Sequence, residues 1–336
     1  MTHDEMIMEK AKKRILSGTQ PSGKLHLGNY FGAIKQHIAL QDEAECFYFI
    51  ADYHALTTVQ DPAKLRENVR DVALAYLALG LDPEKAVFFR QSDVPEVTEL
   101  TWILSTITNM GLLERAVSYK EKIEKGIEAS VGLFTYPMLM ASDILIYRSH
   151  LVPVGKDQVQ HIEMTQDIAG RFNRAYGDVF PIPNYRLDKE SKVPGTDGQK
   201  MSKSYGNTIE IFAEGKPLLK TIREIKTDSI PVAEPKDPDK SNLFALYSLF
   251  ATEEEKAALA ARYRAGGMGY SVAKDLLYEK IESTFAPARE RRKQLAQDPA
   301  HVEDILRKGA LRARAEAQQT LGLVREAVGM HAKSAV

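Results

Sequence analysis

Apolar residues along the first half of the chain switch between two spacings. Lys13 to Ser17 (KRILS) is a short apolar run that predicts a strand, and Gly18 to Gly23 is rich in turn formers. A helix is predicted from Leu27 to about Gln41. Residues 45 to 51 (ECFYFIA), aromatic and β-branched, predict a buried strand. Asp61 and Pro62 supply an N-cap and a first-turn proline for the next helix. In it, Leu65, Val69, Val72, Tyr76 and Leu79 recur at alternating steps of four and three, and Gly80 ends the run. Ala86 to Gln91 predicts a third strand, and Pro95 opens another helix. This alternation predicts an α/β fold built on a parallel sheet with right-handed crossovers. Ligands of such sheets sit beyond the C-terminal strand ends, so the loop after the first strand is placed on a binding rim.

A second strand–loop–helix junction is predicted at residues 151 to 163 (LVPVGKDQVQHIE). Beyond Lys200 the periods become helical, as in SNLFALYSLFA and EEEKAALAARYRA, and residues 234 to 242 (EPKDPDKSN) read as a connector. A helical second domain is predicted, with a final helix folding back on the first domain.

Composition narrows the function classes. At 336 residues the chain is long enough for about two domains. Lys plus Arg (45) nearly cancels Asp plus Glu (46), so any nucleic-acid partner must be met by local patches. The single cysteine, Cys46, excludes intramolecular disulfides and a thiolate cluster within one chain, and its apolar surroundings predict a packed core thiol. No apolar run has the length of a signal peptide or a membrane span, which predicts a cytoplasmic protein with no membrane partner.

Three segments carry candidate chemistry. In residues 19 to 29 (TQPSGKLHLGN) and the Gly18 before them, Gly18, Ser22, Gly23 and Gly28 leave backbone uncovered for a close ligand. A helix starting near Leu27 aims its N–H groups and positive dipole end at the same space, a setting for phosphate beside Gln20, His26 and Asn29. A polar turn with a surface histidine is the other reading. In residues 199 to 207 (QKMSKSYGN), a lysine pair lies on a glycine-flanked loop, either solvated or catalytic. In residues 135 to 147, Tyr136, Met140 and Asp143 share one helical face, with Pro137 suited to that helix's first turn. Asp143 among apolar neighbours needs a partner if buried. Either it is tied to a local backbone or arginine group, or it accepts from a ligand. An indole N–H, a donor with no acceptor capacity, fits the second. His54, Asp157 and His161 have spacings that suit no usual metal site.

HLGN at 26 to 29 resembles the HIGH motif of class I aminoacyl-tRNA synthetases, and KMSKS at 200 to 204 matches their second motif letter for letter. The strings SGTQPSGKLHLGNYFGAI, ADYHALT (51 to 57), TYPMLMASDILIY (135 to 147) and VPVGKDQVQHIE (152 to 163) resemble the bacterial tryptophanyl branch over nearly the whole chain. The resemblance implies a Rossmann-like parallel-sheet catalytic domain over 1–205, a helical anticodon-binding domain over 206–290, and a C-terminal helix over 291–336 packing back on the catalytic domain. It implies that tryptophan, ATP with Mg²⁺, and tRNA(Trp) are bound by a homodimer.

Residue by residue, the resemblance gives His26, Asn29, Lys200 and Lys203 to catalysis. It borders ATP with Gln20, Pro21, Ser22, Gly28, Asn29, Gly155, Lys156, Asp157, Val193, Lys200, Met201, Ser202, Lys203 and Ser204. Lys156 stands where relatives commonly have an acid. Asp143 would read the indole nitrogen, in a pocket completed by Leu16, Gly18, His54, Tyr136, Met140, Val152, Val154 and Gln158. Leu16 stands where phenylalanine is common, which implies looser packing against the indole. Two basic stretches are candidate tRNA surfaces: Lys120, Lys122 and Lys125, and Arg289, Arg291, Arg292 and Lys293. The alternatives are the tyrosine-activating sister family, and a synthetase-like adenylyltransferase or regulatory binding module. The QPSG form of the first loop and the placement of Asp143 argue against the first, the intact lysines and full helical domain against the second.

Overall fold

The computed structural model describes residues 13–116, 130–187 and 193–330. Five parallel strands, β1 (Arg14–Thr19), β2 (Glu45–Ile50), β3 (Val87–Arg90), β4 (Leu151–Val154) and β5 (Asn184–Leu187), lie in the order β3-β2-β1-β4-β5. In register, Ile15 faces Cys46 on one side and Leu151 on the other. The expected α/β class and the first three strands are therefore found, with ends shifted by a residue or two.

Both sheet faces are covered, and β2 shows why its sequence has no polar alternation. Cys46, Tyr48 and Ile50 pack into one apolar layer, and Phe47 and Phe49 into the other. The Cys46 thiol is fully buried and donates to the Leu40 carbonyl, as a core thiol should. The helical run after the first loop, α1, consists of Leu27–Asn29, a π-helical turn Tyr30–Ile34 and Lys35–Leu40. In α2 (Pro62–Leu79), Asp61 Oδ1 accepts from the backbone N–H groups of Ala63 and Lys64, and Gly80 closes the helix at φ +113°.

Helices α3 (Glu96–Ser105), α4 (Val131–Ile146) and α5 (Val159–Tyr176) follow. In α4 the N-cap is Ser130, whose Oγ accepts from Leu133 N–H at 3.1 Å. The expectation that Pro137 sits in the first turn is thereby corrected: it lies inside α4, where its ring removes a helical N–H.

The remainder is helical, with α6 (Gly215–Arg223), α7 (Asn242–Ser248), α8 (Glu253–Ala265), α9 (Tyr270–Gln297) and α10 (Pro299–Ala327). Helix α9 runs unbroken through the limit drawn between residues 290 and 291. Helix α10 lies along β3, so tightly at Gly309 that a Cβ there would come 1.8 Å from the Phe88 carbonyl oxygen. Bidentate Arg314–Glu96 and Arg325–Glu99 pairs clamp it to α3.

One basic stretch is engaged within the fold. Arg289 is buried against Glu282, the Arg291 Nε donates to the Ala78 carbonyl, Arg292 pairs with Asp71, and Lys293 pairs with Glu214. Arg291, Arg292 and Lys293 join α9 to α2 and to the start of α6, while Arg289 is tied within α9 itself. The other stretch, Lys120, Lys122 and Lys125, lies outside the described residues.

Candidate active site

The sheet order reverses at β1, which has β2 on one side and β4 on the other. The crevice beyond the strand ends at such a reversal is the natural ligand site of an open α/β sheet. The loop after β1 supplies Gln20, Pro21 and Ser22. The turn after β4 supplies Gly155, Lys156, Asp157 and Gln158, and Gln91 follows directly on the end of β3.

The first loop is bound to the KMSKS segment. Lys203 Nζ donates to the Gly23 carbonyl at 2.9 Å, across 180 residues of sequence, and lies 3.4 Å from Ser22 Oγ. Gly28 N–H donates to Met201 Sδ at 3.4 Å, Leu27 N–H to the Ile209 carbonyl at 2.9 Å, and Ile211 N–H to the Leu25 carbonyl at 3.1 Å. The expectation of free N–H groups at the helix start is corrected by these contacts, because the donors of Leu27 and Gly28 are engaged. The polar groups left to a ligand are side chains. Asn29 Oδ1 accepts from His26 N–H at 3.0 Å, which leaves its amide N–H groups to donate. His26 is buried and its Nδ1 has no partner. Burial, followed by the charge of Lys203, lowers the imidazole to about 4, so it is neutral at neutral pH. Burial also lowers the Lys203 ammonium from its ordinary value.

The glycines turn out to serve neighbouring side chains. A Cβ at Gly18 would come 2.4 Å from the Phe49 ring, at Gly28 2.9 Å from His26 Nδ1, and at Gly155 2.7 Å from Asp157 Oδ1. At these positions a neighbouring side chain already occupies the space a Cβ would need. Gly23 is different, with φ +108° and Lys203 Nζ the nearest group at 3.8 Å.

Asn207 organises the KMSKS turn. Its Oδ1 accepts from Ser202 N–H at 2.8 Å, while Nδ2 donates to Asp197 Oδ1 at 2.8 Å and to the Lys200 carbonyl at 3.1 Å. Ser202 and Ser204 hydroxyls pair at 2.8 Å, Val193 and Met201 are buried beneath, and Lys200 stands exposed. Lys203 is therefore brought to the first loop and Lys200 is not.

On the other side of the crevice, Asp143 is 3% exposed on α4. His54 Nε2 lies 2.9 Å from its Oδ2, and Gln91 Nε2 donates to Oδ1 at 2.9 Å and Oδ2 at 2.8 Å. Burial raises the carboxyl from its ordinary value, against the opposing pull of His54 and then Gln91. Tyr136 Oη pairs with His161 Nε2 at 2.8 Å, and Leu16, Val152 and Val154 are buried in the same layer. Met140 packs partly buried against that layer. Gln158 Nε2 donates to Asp157 Oδ2 at 2.9 Å in the turn. The two sides meet at Gln20, whose Nε2 lies 3.4 Å from both the His54 carbonyl and Thr58 Oγ1. A cleft of about 360 Å³ opens beside His54 and Tyr136.

Two residues escaped the sequence reading. Gln91 had a signal, being polar at the end of a parallel strand on the binding rim. Asn207 had only its place after Gly206, whose φ is +64°.

Residues 8–286 match the family described as tRNA synthetases class I (W and Y), and the chain belongs to that family. Within it, the tryptophan–tRNA ligase of Rhodopirellula baltica is 57% identical, over 94% of this chain and 99% of its own length. The tryptophan–tRNA ligase of Fusobacterium nucleatum is 52% identical over 95% of this chain and 98% of its own. A crystal structure of tryptophanyl-tRNA synthetase from Campylobacter jejuni, complexed with ADP and tryptophan, matches with a TM-score of 0.90 at 50% identity. It covers 94% of this chain and 100% of that one.

Proposed function

We infer that the chain is a tryptophan–tRNA ligase. It activates L-tryptophan with ATP to tryptophanyl-adenylate and transfers the aminoacyl group to the 3′-terminal adenosine of tRNA(Trp). The observation that carries this reading is the shared edge at Gln20. The loop held by Lys203 touches His54, and His54 holds the buried Asp143. The nucleotide loop and the residues around the buried Asp143 would thus adjoin, as attack of one substrate on the other requires.

In activation, a carboxylate oxygen of tryptophan attacks the α-phosphorus as the bond to pyrophosphate breaks. No protein nucleophile is needed. Positive charge and donors must meet the negative charge that gathers on the leaving group. Lys203 and Lys200 would supply the charge, the second after a closure that brings it from solvent. His26, neutral and buried, and the Asn29 amide would donate to phosphate oxygens. Ser202 and Ser204 would border the same phosphates, with Gly155 and Asp157 on the ribose and adenine side. Among the described residues no three His, Cys, Asp or Glu side chains cluster as metal ligands. The donors on this loop are amide, hydroxyl and ammonium groups, which suit phosphate rather than a cation. Mg²⁺ accompanying ATP would be held by phosphate oxygens and water, and would supply further charge neutralisation there.

For the acceptor, the helical region beyond Lys200 would meet tRNA. A homodimer is supported by exposed apolar side chains: Leu56, Trp102, Met110 and Val131 are each more than half exposed. No helix among the described residues is long and apolar enough to cross a membrane. We place the enzyme in the cytoplasm, where its substrates are.

Pyrophosphate exchange into ATP, measured with each of the twenty amino acids, tests the reading. Exchange that depends on tryptophan is expected. Exchange with tyrosine alone, or with none, overturns it.

A further inference from the structure

We propose that Gln91 is a positioning residue for amino-acid selection, fixing Asp143 as a pure hydrogen-bond acceptor with one oxygen left for the indole N–H. The inference rests on the reading of Asp143 given above.

The amide of Gln91 cannot be turned round. Its Oε1 accepts from the backbone N–H groups of Tyr53 at 3.1 Å and His54 at 3.4 Å, so the NH₂ must face the carboxylate. Gln91 is 2% exposed, and water does not compete for these bonds. The NH₂ reaches both carboxylate oxygens, while His54 reaches only Oδ2. Oδ2 therefore receives two donors and Oδ1 one, which leaves Oδ1 the open acceptor. A buried carboxyl takes up a proton readily, and a protonated one could offer a donor to an indole that has no acceptor. Donation from Gln91 opposes that protonation. The same amide fixes the backbone of the His54 turn, so Gln91 holds the direction of Asp143 and, with His54, opposes its protonation.

The other groups facing Asp143 are His54 and Asp52 on the turn Asp52–Ala55, and Tyr147 after α4. Asp52 raises the carboxyl further, and Tyr147 is itself pushed up by burial and by Asp143. Asp52 is bound away from the pocket by Ser92 N–H at 2.9 Å.

The test uses pyrophosphate exchange with tryptophan and with an analogue carrying sulfur in place of the indole N–H. Wild type, Gln91→Leu and Gln91→Glu are compared between about pH 5.5 and pH 8.5. In Gln91→Leu the carboxyl loses a donor, so KM for tryptophan should climb as pH falls. Its preference for tryptophan over the sulfur analogue should shrink roughly tenfold, with kcat little changed. In Gln91→Glu the new carboxyl can donate only when protonated, so KM should climb as pH rises, the opposite sign. A pH-independent KM increase in both variants, with the analogue preference intact, would mark Gln91 as a packing residue and overturn the proposal. If one variant does not fold, the sign shown by the other decides. Loss of tryptophan dependence in the wild type would instead overturn the functional reading itself.

Discussion

The two sides of the crevice are built to different standards. On the amino-acid side, Asp143 sits within a helix and is held from two directions by the buried Gln91 and the partly exposed His54. On the nucleotide side, the contacts between the first loop and the KMSKS segment are few and include a sulfur acceptor at 3.4 Å, while Lys200, Ser204 and Tyr205 stand in solvent. The difference suits the work proposed for each side. Choosing one side chain from twenty needs a polar group that cannot relax toward a wrong ligand. Stabilising a leaving pyrophosphate needs cations that arrive with the substrate and let the product go.

Breaking the nucleotide side should give the largest effect. Lys203→Ala is predicted to lower kcat of tryptophan-dependent exchange by roughly 10²–10³, the range for removing one donor to developing charge. KM for tryptophan should stay within about threefold. If the two parameters change the other way round, the division of labour between the sides is wrong.

Asp143→Ala probes the opposite side and comes next. Loss of a hydrogen bond to a charged group should lower kcat/KM for tryptophan roughly 10–100-fold, leaving KM for ATP unchanged. Equal effects on both substrates, read from the same exchange assay, would mean that the carboxylate supports the fold of the whole crevice.

Asn207→Ala tests whether the KMSKS turn must be shaped as well as charged. Its side chain makes three hydrogen bonds that hold the turn. We expect kcat to fall about tenfold with both lysines intact, and tryptophan binding by fluorescence titration to be unchanged. A change in tryptophan affinity would join the two sides more closely than their contacts suggest.

What could be read from the sequence follows the range of the interactions. Strand and helix signals were legible because they are local: Asp61, Pro62 and Gly80 bracket α2 by capping chemistry alone. The family was legible because its loops need particular residues in a fixed order. Side-chain partners across the fold were not. Arg291 and Arg292 look like an exposed basic helix face until α2 is packed beside them. Gly18 looks like room for a ligand until the Phe49 ring from the neighbouring strand fills it. The open N–H groups expected near Leu27 are closed by residues 201 and 209, far along the chain. In each case a local pattern has the right chemistry and a distant segment decides how it is used.

The smallest expected effect separates the sides by titration. His26, on the nucleotide side, has its imidazole lowered to about 4 by burial and then by Lys203. Unfolded, it returns to about 6.5. Between these values the unfolded chain binds more protons, so stability rises with pH across the window. The contribution is complete above about pH 6.5 and is lost as pH falls toward 4. His37, buried behind the same loop and also at about 4, adds to the slope with the same sign. Asp143, raised by burial, contributes with the opposite sign, so a single melt would mix the two sides. The difference between wild type and His26→Gln isolates one of them. From pH 7 to pH 5, wild type should lose more stability than the variant in urea unfolding, by at most about 2 kcal/mol. Parallel losses would place the His26 imidazole in water rather than in the dry wall of the nucleotide site.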